Sequence, residues 1–160
     1  MMILDSYKAF EILADHKYVS CANAIIGMPD ETRDLIFDTI NFVRKLPDNI
    51  DATGAFIFAP YHGTPLRELA IKKGYINDDE ICSLSNTSES MLRMNSISKE
   101  EIQGLAKVFS LYIKFPKERW PEIKIAEKSD KEGNSMMEKL GKEFDKTYRQ
   151  YQASALDLHD

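Results

Sequence analysis

The chain predicts an α/β protein built on parallel strands, and three features carry that expectation. Residues 18–26 (YVSCANAII) and 52–59 (ATGAFIFA) are apolar or small without alternation, as in strands covered on both faces. Each run ends at a turn rich in glycine or proline, GMPD at 27–30 and PYHGT at 60–64. Each turn leads into a segment with helical spacing of its apolar residues. Strand, helix, strand and helix joined by short connections read as a βαβ unit with a right-handed crossover.

The elements follow in order. Residues 5–16 (DSYKAFEILADH) place Tyr7, Phe10 and Ile12–Leu13 near helical spacing, with Asp5 or Ser6 to cap the start. The first strand is 18–26. From Glu31 to Leu46 the period changes: Leu35, Ile36, Ile40, Val43 and Leu46 form one stripe, with Arg33, Asp34, Asp38, Asn41 and Arg44 off it. Glu31 and Thr32 head this helix, where capping and dipole matching are their ordinary roles. PDN at 47–49 breaks it.

After the second strand, Leu66, Leu69 and Ala70 share a helix face, and Gly74 marks its end. Residues 77–97 are polar and rich in serine and asparagine, and read as a loop or linker. The acidic run Asp78-Asp79-Glu80 reads as solvated, with no partners placed for acid–base work. Ser98 and Glu101 then form a capping box. Ile102, Leu105, Ala106, Phe109 and Ile113 give a firm helix, stopped by Pro116. A short helix is expected around 117–128 and a longer one after Gly133, with Met137, Leu140, Phe144, Tyr148 and Tyr151 along one side. The organisation expected is therefore 1–76, a linker at 77–97, and a helical extension at 98–160.

Composition narrows the functional classes. Hydrophobic residues make up 43% of the 160 residues and charged residues 29%, enough for a packed core. A formal charge of −5 gives no electrostatic footprint for nucleic acid. No apolar run approaches the ~20 residues that span a bilayer. The N-terminus lacks the basic segment of a signal peptide, and Cys21 and Cys82 do not suggest a secreted disulfide framework, so the cytoplasm is the expected compartment. His16 and His159 have no carboxylate or cysteine at ligand spacing, and no metal site or catalytic residue is expected. Two parallel strands alone leave edges and one face uncovered, which implies either self-association or strands supplied by a missing N-terminal half.

Together, NAIIGMPDET, RDLIFDTINFVRKL and FIFAPYHGTPLRELAIKKGYI resemble the later part of the radical S-adenosylmethionine (SAM) barrel. The resemblance is closest to members that carry an N-terminal cobalamin-binding domain, and FSLYIKFPKERWPEIKIAEKSDKEGN resembles their helical extension. It implies that the chain is the C-terminal βαβα portion of a partial (β/α)6 barrel, with strands five and six followed by that extension. The family's CxxxCxxC, which ligates a [4Fe-4S] cluster, is absent, and two lone cysteines cannot replace it. The chain is thus expected to be a C-terminal fragment, inactive alone. Its parent would be an iron–sulfur enzyme using SAM, with cobalamin as a further cofactor implied by the closest members. That enzyme would cleave SAM to a 5′-deoxyadenosyl radical or transfer methyl groups through cobalamin.

The resemblance also implies site residues. Asn23 and Ile25 would look into the barrel, with Ile25 against the adenine of SAM and Gly27 allowing close backbone approach. Phe58, Ala59 and Pro60 would line the adenine pocket, mostly through backbone, with Tyr61 and His62 at its rim. By spacing alone Ile25 is core, His62 is a solvated loop residue, and Asn23 must find a partner in SAM, substrate or a neighbouring strand. The alternative is a non-catalytic, helix-rich interaction module.

Overall fold

The computed structural model describes residues 2–16, 18, 20–47, 50–82 and 89–148. Helix α1 (Met2–Asp15) leads into strand β1 (Ser20–Ile26), helix α2 (Arg33–Val43), strand β2 (Ile50–Ile57) and helix α3 (Pro65–Lys72). Helix α4 (Lys99–Lys114), a 3₁₀ turn (Lys117–Arg119), α5 (Trp120–Ala126) and α6 (Lys131–Tyr148) complete the order. The protein is mixed α/β, mostly helical, with two parallel strands among the described residues. No helix among them is long and apolar enough to cross a membrane. Val19, Tyr151 and His159 lie outside the described residues.

The strands pair in register from Ser20 opposite Ile50 to Ile26 opposite Ile57. An irregularity between Cys21 and Asn23 gives β2 one extra residue, and Gly54 (φ 146°) sits opposite Asn23, a backbone setting that needs glycine. Side chains alternate between faces as they must. Ala22, Ala24 and Ile26 on β1 and Ile57 on β2 are buried, beneath α2 and α4. Cys21, Asn23, Ile25 and Phe56 are exposed on the other face.

Helix α2 begins where Thr32 Oγ1 accepts from the Leu35 amide at 3.3 Å, and buries Ile36, Ile40 and Val43, with Leu46 buried just beyond. Leu35 departs from the expected stripe. It is 50% exposed, because 100° per residue carries it past the edge of the face that Ile36 and Ile40 define. Arg33 and Arg44 lie off the stripe as expected, yet they are engaged rather than solvated. Arg33 makes two bonds to the Glu127 carboxylate at 2.9 and 2.6 Å. Arg44 Nη1 donates to the carbonyls of Tyr112, Ile113 and Phe115 at 2.6, 2.7 and 2.7 Å. Those are carbonyls that the end of α4 leaves without helical partners.

Helix α4 carries the predicted capping box: Glu101 N donates to Ser98 Oγ and Ser98 N to the Glu101 carboxylate. It packs against β2, α2, α5 and α6, so burial extends beyond the predicted face to Gly104, Val108, Leu111 and Tyr112. Gly133 is not a boundary. It lies in the first turn of α6, its amide bonded to Asp130 Oδ1 at 2.8 Å, and a Cβ there would stand 2.2 Å from the Lys128 carbonyl. Leu140 is buried, and Met137, Phe144 and Tyr148 are partly buried against the core, along the expected side.

Among the described residues of 77–97 there is no helix or strand, but the segment does not run free. Ser90, Leu92, Met94 and Ile97 are buried, and the Arg93 amide bonds Tyr75 O at 2.8 Å. One continuous apolar cluster includes Ile26 of β1, Leu92 of this segment and Leu140 of α6. In α3 the expected face is turned. Leu66 is exposed and Arg67 is 3% exposed, for a reason that lies in the segments before and after the helix.

Candidate functional site

The two turns at the carboxyl ends of the strands stand side by side, since Phe58 N donates to Ile26 O at 2.8 Å just past β2. This is the end where parallel α/β proteins hold ligands. Asn23 and Ile25 are on the open face of β1, and Ile25 is 54% exposed directly opposite Phe56. Phe58 and Ala59 are partly buried beyond β2, and Pro60 is buried. Phe56 belongs to the same face and sequence reasoning missed it, although its two-residue spacing from Phe58 was the available signal.

Gly27 is buried, with φ 81°, in the left-handed region that favours glycine. A Cβ there would lie 3.1 Å from the Ile102 side chain of α4, a tight contact that this side chain would have to yield to. Its amide and that of Met28 both donate to Glu31 Oε2, at 2.5 and 3.1 Å. Thr32, not Glu31, caps α2; Glu31 instead closes the turn of which it is the last residue. Burial raises the Glu31 carboxyl above its ordinary range, although the two amides pull it the other way. The turn is held further by Ser96 Oγ donating to Glu31 O at 2.8 Å.

The second turn is organised by Arg67. Its Nη1 donates to Pro60 O at 3.0 Å, and its Nη2 to the carbonyls of Asp78 and Glu80 at 2.8 and 2.9 Å. A cation this deeply placed needs such acceptors, and the turn carbonyls need donors. Cys82 Sγ donates to the same Pro60 oxygen at 2.8 Å. Glu80 is not a spare acid as expected. Its carboxylate pairs with Arg93, which together with the Asn77 amide holds it down to about 2. His62 and Tyr61 are exposed at the rim.

Metal donors do not converge. Cys21 is on the open sheet face, Cys82 is at the second turn, and no group of three or more His, Cys, Asp or Glu gathers among the described residues. A shallow depression lined by Lys131, Glu132, Ser135, Met136 and Lys139 lies on α6, an element that packs on α5 and α4. Compared with known protein families, curated proteins and solved structures, the chain matches none of them.

Proposed function

We propose that the chain is the C-terminal part of a radical SAM barrel, working in the cytoplasm, that supplies the fifth and sixth strands and one wall of the SAM pocket. The observation that carries this reading, beyond the sequence resemblance, is the parity at the end of β1. Ile26 is fully buried beneath the helices, while Ile25 stands half-exposed beside Phe56 on an open parallel sheet. A parallel sheet is normally covered on both faces, so an open face this apolar calls for more protein or a ligand. The partner is then the rest of the barrel, in the same chain or another, rather than nucleic acid.

The residues present suit part of that cofactor set. Ile25 with Phe58 and Ala59 offers an apolar wall for an adenine ring, and Asn23 stands on the same face as Ile25, its side-chain amide donating to Cys21 Sγ at 3.9 Å. They do not suit a [4Fe-4S] cluster, which needs several thiolates on one site, so those thiolates must come from elsewhere in the barrel. SAM bound to such a cluster would supply the radical or methyl chemistry. This chain's own residues would hold the adenine and exclude water from it.

Reading the coding DNA upstream of Met1 tests the proposal. An in-frame CxxxCxxC within a strand-and-helix series supports it. A stop codon followed by a ribosome-binding site, with no cysteine triad encoded alongside, overturns it in favour of an interaction module.

A further inference from the structure

We propose that residues 77–82 form a strap that opens and closes over the carboxyl end of β2, with Arg67 as its latch. The strap contributes no buried side chain between Ile76 and Ser90 among the described residues, and Ile81 is 82% exposed. What holds it is polar. Arg67 grips the carbonyls of Asp78 and Glu80, Arg93 grips the Glu80 carboxylate, and the Cys82 thiol bonds Pro60 O. Segments with few buried apolar contacts open without the rest of the molecule.

Arg67 makes the open form accessible too. It is 3% exposed, and among the described residues it bonds only carbonyls, with no carboxylate to neutralise it. Closing desolvates this cation and gives it two charge-assisted bonds to the strap, beside the bond to Pro60 O, which lies outside the strap; opening returns the strap carbonyls and the freed donors to water. Water takes the place of each bond that opening breaks, so the net cost of opening is far smaller than the bonds themselves. The ion pair of Glu80 and Arg93 then biases the balance toward closed. Pro60 lies beneath the strap, so opening uncovers the turn assigned above to the pocket. What the strap admits rests on that assignment, but whether it moves does not.

Cys82 reports the motion and Cys21 serves as the internal control. The full chain, diluted until light scattering shows a monomer so that the face bearing Cys21 is uncovered, is labelled with iodoacetamide through a urea series, and each cysteine is followed by mass spectrometry. Each rate is normalised to that of the same thiol in denaturing urea. Cys21 is expected to label freely, and Cys82 at least about tenfold more slowly, with little urea dependence before the main transition. Arg67→Lys, which loses the fork, should speed Cys82 about tenfold and leave Cys21 unchanged. Glu80→Gln, at the surface, should speed it about twofold to fivefold and carries the test if Arg67→Lys does not fold. Three outcomes overturn the proposal: wild-type Cys82 labelling as fast as Cys21, labelling that tracks only global unfolding, or no acceleration in any variant that folds.

Discussion

At the scale of single residues, adjacent isoleucines have opposite surroundings. Ile26 is fully buried and Ile25 is 54% exposed. An aspartate at position 26 would bury an unpaired carboxylate, which costs several kcal/mol, so Ile26→Asp is expected to abolish the thermal transition seen by circular dichroism. Ile25→Asp loses strand propensity at a solvated position, and a loss of about 1 kcal/mol is expected. Equal losses would mean that the open face is covered in solution. Glu31 gives a pH-dependent outcome. Its carboxyl is raised by burial, so the folded form holds the proton more tightly than the unfolded one. Its contribution to stability is therefore full below about pH 4.5 and lost as pH rises through its folded value. Glu31→Gln keeps an oxygen for both amides without the buried charge. In urea melts the variant should gain on wild type from about pH 4 to about pH 7. A variant that falls behind at the higher pH would show that the amide bonds outweigh burial. The alternation at 25 and 26 was legible because the pleat dictates it. The burial of Arg67 beside an exposed Leu66 was not, because the carbonyls that recruit it belong to turn geometry, not to residue type.

At the scale of elements, the C-terminal helices approach so closely that two glycines have no substitute. A Cβ at Gly104 of α4 would meet the Glu127 carbonyl at 2.7 Å, and one at Gly133 of α6 the Lys128 carbonyl at 2.2 Å. Gly141, also in α6, has open space around it. Gly104→Ala and Gly133→Ala should each destabilise by about 1–3 kcal/mol, because backbone must move. Gly141→Ala should stabilise by about 0.5–1 kcal/mol through helix propensity. Denaturant melts of the three variants decide the matter. If Gly104→Ala is neutral, α5 lies farther from α4 than described. A glycine in sequence signals a boundary or a close approach, and only the fold distinguishes the two. That is why Gly133 read as a helix start. The capping box at Ser98 was legible in full because its partners are three residues apart, whereas the bonds of Arg33 and Arg44 cross 94 and 68 residues.

At the scale of the whole molecule, the described helices cover one face of the sheet, and among the described residues the other face is left exposed. Cys21, Asn23, Ile25 and Phe56 bring no charge to that face. Concentration-dependent association is expected in light scattering, weakened by Ile25→Asp; a strict monomer at all concentrations would argue against it. The long reach of the α2 arginines has a further consequence, for synthesis. A ribosome delivers β1, α2 and β2 long before Tyr112 and Glu127 exist to receive Arg44 and Arg33, and before Ile102 packs at Gly27. During that interval the nascent βαβ unit has α2 but lacks α4 over its inner face, and it lacks both clamps. It should stay sensitive to protease until α5 leaves the exit tunnel, then become resistant in a single step.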